Sequence, residues 1–350
     1  MRFAFPAAKL ILAGLVVVVG RAVPTWDTGP GMVSAGPLPA WASTATPPAG
    51  EEEPTGDFKL KVDVNLVLVE ATVRDERGGI VDGLTRADFA IFENGALQTL
   101  THFSQDELPL AVAIVVDASG SVAPVMGKLR EAALETLSLL KPEDQVALFE
   151  FDSEPRLLEV LTPNRHHIAE SIAAIAGGSG GTNINDALLA AARYLGSESP
   201  QRRHAIVLVS DNIATYRSQA SRNDVVRGSI ETETVIYSIR ITTSRVSRTP
   251  LLPDILAGTA FVDKMAYETG GEVFEAYDGR SIRTALGAVI SRLKKRYTLG
   301  YSSTNRHQDG KFREITVRLS EGSPAASRHY RIFARRGYYA PLPGANLTRK

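Results

Sequence analysis

The 350-residue chain contains no cysteine, which excludes a disulfide framework and a lipid-modified cysteine anchor and leaves no thiol nucleophile. Neither charge dominates: 39 Lys and Arg balance 39 Asp and Glu, so the formal net charge is zero. No basic stripe interleaved with aromatics stands out, and the argument for a nucleic-acid partner falls away. A comfortable membrane span is also missing, because the apolar run Leu10 to Gly20 behind Arg2 and Lys9 is short for a bilayer. The Gly-rich stretch Gly177 to Gly181 is not closed by the Lys-Ser/Thr of a phosphate-binding loop, so a nucleotide is not expected. His166, His167 and Glu170 fall at helical spacing, but no further His or Cys nearby completes a zinc site, and they read as a solvated helix start.

What the first residues do have is the shape of a secretory signal: basic residues, a short apolar core, then small residues. Cleavage is expected near Gly20-Arg21-Ala22, giving a signal peptide of residues 1–22, with Ala40-Trp41-Ala42 as a later alternative and an uncleaved N-terminal anchor as another. The expected location is therefore secreted, periplasmic or cell-surface. Residues 23–57 are rich in Pro, Gly, Ala, Ser and Thr and end near Glu51-Glu52-Glu53; they read as a disordered linker.

The remainder has a core to bury, since 44% of the chain is apolar. Leu108 to Val116 has the length and Val/Ile content of a strand buried on both faces, and it ends at Asp117. Pro124 then opens a helix striped by Met126, Leu129, Ala133, Leu137 and Leu140. His204 to Val209 is a second such strand, closed by Ser210-Asp211, and Thr182 stands between the Gly-rich loop and a helix marked by Ala187, Leu188, Ala191 and Leu195. In an open α/β sheet, ligands bind outside the carboxyl ends of the strands, where strand order reverses. Asp117, Ser119, Ser121, Thr182 and Asp211 can all reach that crevice. They offer oxygen only, which suits a hard cation such as Mg²⁺. Three of the five donors are neutral, so the ion retains charge for an incoming carboxylate.

Asp117-x-Ser119-x-Ser121 with Thr182 and Asp211 resembles the metal-ion-dependent adhesion site of von Willebrand factor type A domains. The resemblance covers roughly residues 107–296 and includes Thr269-Gly270-Gly271-Glu272-Val273-Phe274, similar to a strand approach in that fold. It implies that both Ser and the Thr coordinate Mg²⁺ or Mn²⁺, and that the two Asp act directly or through water. Asn212 departs from the Gly that many members carry after the second Asp. The resemblance also implies that the last helix, with Ile282, Leu286, Val289, Ile290 and Leu293, can shift when ligand binds.

Strands are expected on both sides of this domain. Leu60, Val62, Val64, Leu66 and Leu68 alternate with mostly polar residues; Phe89 to Phe92 and Gln98 to Phe103 follow, joined by a tight turn at Glu93-Asn94-Gly95. Arg296 to Tyr301, Phe312 to Leu319 and Tyr330 to Phe333 read as strands at the other end. The expected fold is α/β: a doubly wound, mostly parallel, Rossmann-like sheet (107–296) inserted in a small all-β sandwich-like domain (58–106 and 297–341), with a tail at 342–350. The order, including Leu84-Thr85-x-x-Asp88-Phe89 and Arg336-Gly337-Tyr338-Tyr339, resembles a bacterial group of exported von Willebrand factor A-related proteins. Arg240, Arg245 and Arg248 would lie toward the crevice and steer an acidic ligand. The expected function is an exported adhesion or assembly module, not an enzyme, whose metal engages an Asp or Glu of a protein partner. The alternatives are a structural exported domain whose site holds no ion, and a metal-assisted hydrolase, for which no general base can be placed beside Asp117.

Overall fold

The computed structural model describes residues 66–105, 108–120, 122–178, 180–242 and 253–343, all within one compact unit, Lys61–Lys350. In chain order the elements are β1 (Leu66–Arg74), β2 (Phe89–Glu93), β3 (Ala96–Gln98), β4 (Leu100–Ser104), β5 (Leu110–Asp117), α1 (Met126–Leu137), β6 (Gln145–Phe151), β7 (Pro155–Thr162), α2 (Arg165–Ala174), α3 (Ile184–Glu198), β8 (Arg203–Ser210), α4 (Arg222–Glu231), β9 (Thr234–Ile241), α5 (Pro253–Thr269), β10 (Val273–Ala276), α6 (Gly279–Lys294), β11 (Tyr297–Ser302), β12 (Phe312–Leu319), β13 (Arg331–Ala334) and β14 (Gly337–Tyr339). The expected signal peptide, linker and the strand positions Leu60 to Asn65 lie outside the described residues.

Every residue of β5 is buried, and its alternation divides the core. Val112, Ile114 and Val116 pack with α1, α2 and α6 on one face; Ala111, Ala113 and Val115 pack with α3, α4 and α5 on the other. Small residues on the second face suit the Ala-rich α3, whose Ala187, Ala191 and Ala192 are fully buried there. The sheet runs β10-β9-β8-β5-β6-β7, parallel except for β7. This is the doubly wound, mostly parallel α/β architecture. Strand β5 has β6 on one side and β8 on the other, so strand order reverses at its carboxyl end.

The remaining strands form two four-stranded sheets among the described residues, β13-β1-β11-β4 and β14-β12-β2-β3, each mixing the two ends of the chain. They contribute to one core, with Val69, Val73, Ile91, Tyr301 and Ile315 buried together. The face of β1 differs from expectation. Val67, Val69, Ala71 and Val73 turn inward and Leu66 is exposed, because β1 is apolar on both faces and its pairing with β11 and β13 sets the register. The single strand expected over Gln98 to Phe103 is also broken: β3 pairs with β2, whereas β4 joins β11 in the other sheet. Helix α1 stops at Leu137, short of Leu140, which is buried beyond its end.

Two carboxylates bind the parallel-sheet region to β1. Glu272, ahead of β10, accepts from Arg292 of α6 at 2.7 Å and pairs with Arg74 of β1. Glu70 of β1 accepts from Arg296 at 2.6 Å, and the same guanidinium donates to the Tyr237 hydroxyl at 2.6 Å. The close approach of β10 to β9 needs glycine, since a Cβ on Gly271 would stand 1.9 Å from the Ile236 carbonyl oxygen.

Candidate metal centre

Register places the acidic residues together before any side chain is considered. Val116 of β5 lies beside Val209 of β8, so the next residues along, Asp117 and Ser210, are neighbours at the carboxyl edge. The Ser210 hydroxyl donates to Asp117 Oδ2 at 2.6 Å, and the Ser119 N–H donates to Asp117 Oδ1 at 2.8 Å. Asp211 follows directly, its carboxylate accepting the Ile213 N–H at 2.9 Å.

Backbone hydrogen bonds tie the surrounding loops to this edge. The Gly178 N–H meets the Ala118 carbonyl at 2.5 Å, and the Asn183 N–H meets the Asp152 carbonyl at 2.8 Å. Thr182, between them, is also held from the β8 side: its N–H donates to Thr215 Oγ1 at 2.9 Å, and its carbonyl accepts the N–H groups of Thr215 and Tyr216 at 3.1 and 3.2 Å. Thus Asp117, Ser119, Thr182 and Asp211 belong to loops joined at one edge, and all four are buried. Ser121 lies outside the described residues.

The electrostatics are those of a site short of positive charge. Burial pushes the Asp117 carboxyl up from its ordinary value; bonds from the Ser210 hydroxyl and from Ser119 pull it down, and the nearby Asp211 pushes it up again. Among the described residues, no Lys, Arg or His forms an ion pair with either acid. A divalent cation fits this donor set, because it would balance buried carboxylates that have no cationic side chain of their own. No cluster of three or more His, Cys, Asp or Glu occurs among the described residues, so any ion held here would rely on hydroxyl oxygens as well.

The positions expected to steer a partner fare differently. Arg240 is engaged by Glu275 at 2.7 Å and by Asp263 of α5, so it is not a free charge facing the crevice. Arg245 and Arg248 lie outside the described residues. His166 pairs with Glu170 at 3.2 Å while His167 faces Glu159 at 2.9 Å, two separate exposed contacts. Asp144 caps the opposite end of the sheet, accepting from Leu110 and Lys141 N–H groups at 2.8 Å each. Asp152 borders the Gly-rich loop but is paired with Arg156 at 3.3 Å. Sequence reasoning passed over Ser210, although its place at the end of a doubly buried strand, beside Asp211, was a usable signal. Asn212, in the left-handed region at φ 61°, is buried and accepts from the Ser238 hydroxyl at 3.0 Å.

Residues 112–213 match the family profile of the von Willebrand factor type A domain. The chain therefore carries a von Willebrand factor type A domain. It is 28% identical over 240 residues to inter-alpha-trypsin inhibitor heavy chain H4 of Bos taurus, covering 64% of this chain and 23% of that protein. It is 30% identical over 229 residues to the Homo sapiens heavy chain H4, covering 62% of this chain and 22% of that one. The chain thus spans about a fifth of the length of these relatives. Among solved structures, a von Willebrand factor type A protein from Catenulispora acidiphila aligns with a TM-score of 0.44 at 11% identity, covering 79% of this chain and 73% of that one.

Proposed function

We propose that this protein is an exported, metal-dependent binding module in which Asp117, Ser119, Thr182 and Asp211, with Ser121 contributed by the sequence motif, hold Mg²⁺ or Mn²⁺ and engage an Asp or Glu of a partner protein. The observation that carries the reading is the buried Asp117 carboxyl beside Asp211, at the strand-order reversal, with no cationic side chain paired to either among the described residues. A cation held by these residues would supply a Lewis-acidic position for a carboxylate oxygen. The residues of the chain prepare that position. Ser210 and the Ser119 N–H fix the two oxygens of Asp117, and the Thr215 and Tyr216 contacts fix Thr182. Hydroxyl donors leave more net positive charge for the partner than further carboxylates would. The module binds and does not catalyse.

The test is thermal unfolding of the full chain in chelator and then in millimolar Mg²⁺ or Mn²⁺. A ligand that binds only the folded state raises the midpoint, by about 2.7 kcal/mol of stability at a hundredfold excess over its dissociation constant. The wild type is expected to rise and Asp117→Ala to stay still. A wild type unmoved by either metal would refute the reading.

A further inference from the structure

The loop after Asp211 is fastened to the Thr182 segment on both sides of two exposed residues. Thr215 and Tyr216 bond to Thr182 as described, and Ser218 donates its hydroxyl to Asn183 Oδ1 at 2.6 Å. Beyond them, Asp186 of α3 accepts the Gln219 and Ala220 N–H groups at 3.0 and 2.7 Å. The backbone of 215–220 is therefore pinned along 182–186, and Tyr216 and Arg217 stand at its exposed bend.

Their surroundings differ from those of Arg240. Tyr216 is 50% exposed, and its Cβ packs so close to Gly181 that a Cβ there would meet it at 3.0 Å. Its hydroxyl has no protein partner among the described residues, and Arg217 is exposed with no ion pair, hydrogen bond or ring contact among them. Three other arginines of this domain are engaged within the chain: Arg222 lies over Phe261, Arg227 pairs with Glu231, and Arg240 is held by two carboxylates. An unpartnered guanidinium and a half-exposed ring, on a loop held rigid beside Thr182, have already lost the backbone freedom that binding would otherwise remove.

We propose that Tyr216 and Arg217 form a second recognition element beside the candidate metal position, selecting a protein segment that carries two acidic residues. One carboxylate goes to the cation, the other to the Arg217 guanidinium, and the intervening chain rests on the Tyr216 ring. The inference rests on the proposed metal-dependent binding. Arginine suits the role because its planar fork takes a carboxylate in two parallel hydrogen bonds. As a rim charge it changes association rate and salt dependence more than the lifetime of the complex.

The probes are capped synthetic peptides, one with a single Asp in a Gly/Ser background and a set with a second Asp two, three or four residues on. Each is titrated in Mn²⁺ against the full chain as wild type, Arg217→Ala and Tyr216→Phe, with Mn²⁺ affinity measured separately on every variant. The expected result is that at least one two-acid peptide binds about two- to fivefold more tightly than the single-acid peptide, the range of an exposed ion pair. Arg217→Ala abolishes that advantage without changing Mn²⁺ affinity or single-acid binding, and Tyr216→Phe retains it. A two-acid advantage that is absent, or that survives in Arg217→Ala, overturns the inference while leaving metal-dependent binding in place. Failure of every peptide to bind the Mn²⁺-loaded wild type overturns the underlying reading and the inference together.

Discussion

Replacing Glu272 with Gln should separate the two parts of the chain more effectively than any surface change. The carboxylate faces two guanidiniums, Arg292 at 2.7 Å and Arg74, and the side chains of Glu272 and Arg292 are only 9% and 8% exposed. At about 4 Å and an effective dielectric near 20, each such pair is worth about 4 kcal/mol of Coulomb attraction, against a desolvation cost of several kcal/mol per ion. The net value of the intact cluster is small, but removing its only acid leaves two like charges in one half-buried site. Breaking a buried pair from one side costs about 3–5 kcal/mol. Arg74 keeps its place over the Phe333 ring at 4.4 Å and Arg292 over Phe274 at 4.8 Å, which favours the lower end, about 3 kcal/mol. Urea unfolding of the full chain measures it, with Glu231→Gln as control. That residue pairs with Arg227 at a site about half exposed, where a change of at most about 0.5 kcal/mol is expected. Equal midpoints for the two variants would refute the reasoning.

Other changes test the remaining contacts. Ser210→Ala removes the hydroxyl that donates to Asp117 at 2.6 Å and accepts the Asn212 N–H at 3.0 Å; unfolding in chelator should show a loss of about 1.5–3 kcal/mol. His204→Leu leaves the Ser199 and Thr232 carbonyls without the ring nitrogens now 2.9 and 2.7 Å away, and should cost about 1–3 kcal/mol by the same assay. The Ser323 hydroxyl, then the Thr85 N–H and hydroxyl, hold the Asp88 carboxyl below its ordinary value. Its contribution is present above the unfolded carboxylate range and is lost as pH falls through the depressed folded value, so Asp88→Asn should flatten the acid limb of a stability–pH profile.

Long-range pairing explains what could and could not be read from the chain. Strands buried on both faces announce themselves: β5 and β8 fall within two residues of the apolar runs that mark them, β5 ending at Asp117 and β8 at Ser210, one residue before Asp211. The stripe of α6 is equally plain, with Ile282, Leu286, Val289, Ile290 and Leu293 all buried. Where both faces are apolar, the inward side is not written in the pattern, which is why β1 turned out to bury its odd positions. Strand β7 gave little signal because it is an edge, with Leu157, Leu158 and Val160 exposed. At the candidate site, residue types and strand ends were legible, whereas the neighbours were not. Ser210 reaches Asp117 from 93 positions away, and Arg240 is occupied by Asp263 and Glu275, 23 and 35 positions on. The fastening of Thr182 by Thr215 and Tyr216 likewise depends on how two loops meet.

The account turns on whether Asp117 and its neighbours hold a cation, and Mn²⁺ titration followed by electron paramagnetic resonance asks this directly. The wild-type chain should remove Mn²⁺ from solution at one saturable site displaced by excess Mg²⁺, and Asp117→Ala should lose that site while unfolding cooperatively in chelator. Absence of a saturable site in the wild type, or an equal site in Asp117→Ala, would contradict the account.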